Sequence, residues 1–167
     1  MKLNKLATLS QRTLIIFIGL QALVIFAGGY ILEYYFYYMP CVLCFIQRYL
    51  FLLCSVSALV GGMFFSSTIL RYLSYTVAIL SSVLGLAVGL HHRNVQSLPI
   101  DKIQNCSQSI SQMLENFEFG KIIESWLHGD SECHIIQKFL GINLTEWSII
   151  LFSILLMQLL YTIKKVE

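Results

Sequence analysis

Four long stretches of this chain carry no charged residue: Thr13–Leu32 (20 residues), Tyr49–Leu70 (22), Tyr72–Leu90 (19) and Trp147–Ile163 (17). A helix needs about 20 apolar residues to cross the hydrocarbon core of a bilayer. It is also the element that satisfies its own backbone hydrogen bonds there. The pattern predicts an all-α integral membrane four-helix bundle, one domain over residues 1–167, with spans at about 12–32, 45–65, 71–90 and 145–163. Between them lie a short polar segment at about 33–44 and a long one at about 91–144. Pro40 disfavours helix at Met39, so the second helix is expected to start near Cys41–Cys44, and Glu33–Pro40 reads as an aromatic loop at headgroup level.

Charge then orients the bundle. The N-terminus, the turn at 66–71 and the C-terminal tail hold Lys2, Lys5, Arg12, Arg71, Lys164 and Lys165 against Glu167. The stretch from His91 to Glu146 holds seven acids and four bases. The positive-inside rule places both termini in the cytoplasm and both polar segments outside. Within the long segment, Ile110, Met113, Leu114 and Phe117, then Ile122, Ile123, Trp126 and Leu127, recur at helical spacing. They predict a short amphipathic helix lying in the interface, or a small cap packed over the bundle. At 57% hydrophobic and 12% charged residues the composition fits a bilayer protein, and nothing in it suggests nucleic-acid binding.

Four of the five cysteines fall on the outer side. Cys41-Val42-Leu43-Cys44 stands at a predicted helix start, where unpaired N–H groups and a partial positive charge favour a thiolate. Arg48 lies one turn beyond Cys44 on the same face, and an arginine at that depth needs a partner or a task. The loop closed by a Cys-x-x-Cys is too small for a useful staple, so redox chemistry is the better reading of this pair. Cys106 and Cys133, 27 positions apart, read equally as a structural disulfide and as a second redox pair. Zinc ligation by these cysteines, or by a pair of them with His91 and His92, is disfavoured because the second pair lacks Cys-x-x-Cys spacing; no metal is assigned. Cys54, inside the second span, reads as a small buried thiol. No nucleotide fingerprint or haem-attachment motif is present, which leaves a lipid-soluble quinone near Cys44 and Arg48 as the simplest electron acceptor.

The chain resembles the DsbB family of bacterial inner-membrane proteins. The likeness rests on the four spans, on Cys41-Val42-Leu43-Cys44 followed by Arg48, and on Gly129-Asp130, Cys133, Phe139-Leu140-Gly141 and Trp147 leading into the last span. The resemblance implies a thiol:quinone oxidoreductase that reoxidises a periplasmic DsbA-like thiol oxidase and passes the electrons to the membrane quinone pool, ubiquinone or menaquinone. It implies catalytic roles for Cys41, Cys44, Cys106 and Cys133, with a Cys106–Cys133 disulfide attacked by the partner and Cys133 then attacking Cys41. It implies quinone contacts from Cys44, Arg48 and His91, with His92 behind His91. Many relatives carry an acid just before the arginine; Gln47 stands there here, which predicts a more positive field around Arg48. Two other readings compete: a non-catalytic four-span scaffold with a disulfide-stapled outer loop, and a quinone enzyme of the vitamin K epoxide reductase type. In the latter family the Cys-x-x-Cys falls late in the bundle, whereas here it opens the second span.

Overall fold

The computed structural model describes residues 2–37, 41–97, 120, 133 and 136–164, with side chains from residue 11 onward. Among these, four helices are long and apolar enough to cross a membrane. They are α1 (Lys2–Phe36), α2 (Val42–Met63), α3 (Thr68–Gln96) and α4 (Leu144–Lys164). Cys106 and the amphipathic stretch around 110–127 lie outside the described residues.

Two helices outrun their expected bounds. α1 continues through Glu33–Phe36, which the sequence reading assigned to a loop. A charge-free run measures the length immersed in hydrocarbon, whereas helical hydrogen bonding continues until something breaks it, and Glu, Tyr and Phe are all tolerated in helices. The break comes at Tyr37, with φ 53°. α3 likewise passes Leu90 and carries His91 and His92 within its last turns.

The side chains are sorted as a bilayer requires. Val24, Leu80 and Met157 point outward, while Ser55, Ser81, Ser82 and Thr162 are buried between helices. Lipid tails offer apolar side chains the same environment as a core, so helix contacts rely on close approach and on polar groups with partners. Ser55 Oγ donates to the Gly19 carbonyl at 2.8 Å, and Cys54 Sγ lies 3.6 Å from Ser82 Oγ. At the end remote from the Cys-x-x-Cys, Arg12 Nε donates to the Gly62 carbonyl at 3.1 Å and satisfies one of the open carbonyls at the C-terminus of α2.

α2 packs against both α1 and α3, α3 packs against α4, and the α1–α4 contact is thinner. The bundle centre is an aromatic stack: Phe51 of α2 and Phe152 of α4 lie parallel with centroids 3.7 Å apart. Gly85 of α3 makes room for it, since a Cβ there would stand 2.3 Å from the Phe152 ring.

A two-residue hairpin precedes α4 and was not expected from the sequence. β1 (Lys138–Phe139) pairs antiparallel with β2 (Ile142–Asn143), Lys138 opposite Asn143 and Phe139 opposite Ile142. Leu140 and Gly141 turn it with φ 53° and 84°, the positive values that let a two-residue turn follow strand twist. Trp147 Nε1 donates to the Phe139 carbonyl at 3.0 Å and ties the hairpin to α4.

Candidate functional site

The Cys-x-x-Cys sits where α2 begins. Cys41 is the N-cap, in extended conformation (φ −75°, ψ 170°), and its sulfur accepts from the Cys44 backbone N–H at 3.4 Å. The capping role usually taken by a serine or threonine oxygen is thus taken by a thiol. The Cys41 and Cys44 sulfurs are 3.2 Å apart.

The two thiols face different surroundings. Cys41 is buried with Leu43, Val88, Val95 and Cys133. Its sulfur, the Cys133 sulfur and a ring nitrogen of His92 lie within 4.8 Å of one another. Cys44 is half-buried and lines a cavity of about 470 Å³ between α1, α2, the hairpin and α4. One sulfur of the pair therefore meets a third cysteine, and its neighbour meets open volume.

Burial pushes the Cys41 thiol well above the ordinary cysteine range, and hydrogen bonds with Cys133 and Cys44, together with their negative charge when ionised, push the same way. The raised value keeps Cys41 protonated, and so unreactive, until pH rises well past the usual thiol range. In the fully reduced protein, timed alkylation with iodoacetamide at pH 8 followed by peptide mapping is expected to label Cys44 at least about tenfold faster than Cys41. Equal rates would show that Cys41 is not shielded as described.

His92 is held from several sides. Its Nε2 is 3.3 Å from the Cys133 carbonyl and 3.7 Å from the Cys41 sulfur, and its Nδ1 is 3.4 Å from Thr145 Oγ1. A carbonyl can only accept, so Nε2 carries the proton and the Thr145 hydroxyl donates to Nδ1. Gln96 Nε2 also approaches His92 Nε2 at 3.5 Å, but the Gln96 side chain is anchored elsewhere, accepting from Asn143 Nδ2 at 2.8 Å. Asn143 in turn accepts from the Thr145 backbone N–H at 3.2 Å, at the start of α4. His91, the histidine put first by the sequence reading, is half-buried and is not among the described residues lining the cavity. The spacing of α3 carried the signal: Gly85, Val88, Gly89, His92 and Val95 form one buried face.

Arg48 lines the same cavity as Cys44. Its guanidinium donates to the Glu33 carboxylate at 2.5 Å and to the Gly29 carbonyl at 3.1 Å, and it lies 4.4 Å from the centroid of the Tyr30 ring. A Cβ at Gly29 would come within 3.1 Å of Arg48 Nε, so glycine leaves the side chain its path. The positive field expected around Arg48 from Gln47 meets a counter-charge from elsewhere in the chain. Position 47 supplies no acid, but Glu33 does, from a segment of α1 that the sequence reading treated as loop. Its spacing from Gly29 and Tyr30, one turn along a single helix face, is legible only once α1 is known to extend that far.

The cavity suits a small, mostly apolar ligand with a few polar atoms. Its volume lies within the range of about 300–1,000 Å³ typical of small-molecule sites. Phe36, Phe51, Phe139, Leu144, Trp147 and Leu151 supply apolar wall, and Cys44, Gln47 and Arg48 converge on one side of it.

The family profile described as disulfide bond formation protein DsbB matches residues 11–162 of the chain. Curated relatives carry the name Disulfide bond formation protein B. The one from Saccharophagus degradans is 29% identical over 153 residues, covering 91% of each chain. The one from Chromohalobacter salexigens is 33% identical over 129 residues, covering 76% of this chain and 75% of the relative. The one from Stutzerimonas stutzeri is 28% identical over 144 residues, covering 86% and 88%. No solved structure matches the chain.

Proposed function

The chain belongs to the DsbB family of disulfide bond formation proteins, and from that premise we propose that it reoxidises a DsbA-like thiol oxidase on the periplasmic face of a bacterial inner membrane and delivers the electrons to membrane quinone. The observation that carries this reading is the division of labour within the Cys-x-x-Cys: Cys41 lies against Cys133, and Cys44 lies against the cavity.

The exchange runs along these sulfurs. A thiolate of the reduced partner attacks Cys106 of a Cys106–Cys133 disulfide, forming a mixed disulfide and releasing Cys133. The partner's second thiolate then breaks the mixed disulfide, so the partner leaves oxidised and Cys106 is left reduced. Cys133 attacks Cys41 of a Cys41–Cys44 disulfide; the Cys133–Cys41 bond forms and Cys44 is released as a thiolate. Cys106 attacks Cys133, which restores the loop disulfide and leaves Cys41 and Cys44 as a dithiol. The proximity of the Cys41 and Cys133 sulfurs supports this order, since exchange needs direct sulfur–sulfur approach. His92 is placed to donate Nε2–H to the Cys41 sulfur when it carries charge.

A quinone bound in the cavity supplies an acceptor for two electrons and two protons. The Cys44 thiolate faces that position, and Arg48, one turn along α2, offers positive charge and N–H donors in a largely apolar enclosure. Glu33 and Gly29 hold Arg48 at the wall.

Purified protein, a ubiquinone or menaquinone analogue and a reduced DsbA-like partner are expected to show loss of quinone absorbance matched one-to-one by partner disulfide. No quinone loss with either analogue, together with disulfides that the partner cannot reduce, would return the chain to the stapled-scaffold reading. Arg48→Ala is expected to raise KM for quinone about tenfold or more while leaving partner–Cys106 exchange within about twofold. Equal loss in both half-reactions would remove Arg48 from the quinone side.

A further inference from the structure

We propose that Glu33 is a positioning and specificity residue of the cavity: by pairing with Arg48 it makes the polar wall electrically neutral, so that the site selects neutral quinones over anionic ones. The inference rests on the quinone reading above and concerns a residue to which that reading assigns no selectivity.

Among the described residues lining the cavity, Arg48 and Glu33 are the two that carry formal charge. Alone, a guanidinium with only 11% of its side chain exposed, beside apolar wall, would attract any anion small enough to enter. Acidic hydroxyquinones and small carboxylates would then compete with the neutral ring. Glu33 removes that attraction. Its carboxylate takes Nη1, while the Gly29 carbonyl takes Nη2 and Tyr30 covers the guanidinium carbon, so three contacts from about one turn of α1 fix the head group. The remaining N–H donors serve a neutral carbonyl oxygen, which needs hydrogen bonds and no net charge. An incoming anion meets the Glu33 carboxylate as well as Arg48, and like-charge approach is how a site rejects a competitor it could otherwise bind.

Glu33 acts through Arg48, and its exposure explains why it suits this task. Its side chain is 38% exposed at the rim of the cavity, so it keeps contact with water while its oxygen reaches the more buried Arg48. The amide at Gln47, buried in the same wall, brings no charge of its own.

The test is equilibrium binding to the full-length protein in detergent, with turnover excluded by keeping the protein oxidised. A Trp126→Phe background leaves Trp147, in the cavity wall, as the reporter, and quenching of its fluorescence is titrated with a neutral short-chain ubiquinone and with an anionic 2-hydroxy-1,4-naphthoquinone. The parent is expected to prefer the neutral ligand. Glu33→Gln is expected to move the anionic-to-neutral affinity ratio by about tenfold towards the anion, since one negative charge is removed within a few ångströms of the ligand. Glu33→Gln combined with Gln47→Glu, which returns a carboxylate to the neighbourhood of Arg48, is expected to recover most of the ratio. A change in folding alone would weaken both ligands together and leave the ratio where it was. In ligand-free protein, modification of Arg48 by phenylglyoxal, read by mass spectrometry, is expected to speed up several-fold in Glu33→Gln. An unchanged ratio, or unchanged Arg48 modification, would overturn the role of Glu33 while leaving the quinone reading intact. A parent protein that binds neither ligand would overturn both.

Discussion

Replacing Cys44 by serine is expected to cut quinone reduction by at least about a thousandfold, while the protein still folds and still accepts electrons from its partner. A hydroxyl neither forms a disulfide nor ionises near neutral pH, so the half of the pair that faces the cavity loses its chemistry outright. The consequence on the other side is equally specific. Cys41, without Cys44, keeps Cys133 as its sulfur neighbour, within 4.8 Å and sealed from water. The Cys41 thiol can displace Cys106 from a Cys106–Cys133 disulfide, so non-reducing peptide mapping of oxidised Cys44→Ser protein is expected to show a Cys41–Cys133 disulfide, with Cys106 freed as a thiol, beside the Cys106–Cys133 form, and no Cys41–Cys133 bond in Cys54→Ala protein. Cys54 is the proper control because it is as buried as Cys41, but its sulfur lies 3.6 Å from Ser82 Oγ, far along α2 from Cys41 and Cys133. Quinone turnover by Cys44→Ser protein above the thousandfold limit would mean that another thiol faces the acceptor.

Gly85→Val is expected to be the most destabilising single change in the bundle. A Cβ at Gly85 would lie 2.3 Å from the Phe152 ring, and that ring cannot retreat, being stacked at 3.7 Å on Phe51. Overpacking of this kind costs about 1–3 kcal/mol and sometimes more. For a chain of this size that lowers Tm by about 2–12 °C, measurable by thermal unfolding in detergent. Phe152→Leu, which removes the obstructing ring edge, is expected to recover part of the loss in the double variant. The functional effect should follow the structural one. α3 carries His92 two turns beyond Gly85, so levering α3 away from α4 also separates His92 from Thr145 and from the Cys41 sulfur. Unchanged Tm in Gly85→Val would mean that α3 and α4 approach less closely than described.

The chain itself determined the spans. Hydrocarbon forbids unpaired backbone groups and penalises charge, so four charge-free runs were enough to place four helices, and a Cys-x-x-Cys at the start of the second was enough to mark the end that holds the candidate site. These are one-dimensional properties: length, charge and local spacing. Helix ends were less legible, because a helix that leaves the hydrocarbon meets no penalty until a residue such as Tyr37 takes positive φ. The tertiary structure alone decided which residues from different helices share a wall. It separated Cys41 from Cys44 by turning one towards Cys133 and the other towards the cavity. It set His92 rather than His91 against the sulfurs, since only the rotation of α3 within the bundle says which neighbour faces inward. And it gave Arg48 its acid from Glu33, 15 positions away, where sequence reasoning looked only at the adjacent position 47. Side chains a few residues apart reveal their pairing through helical periodicity; those on different helices reveal it only after the helices have packed.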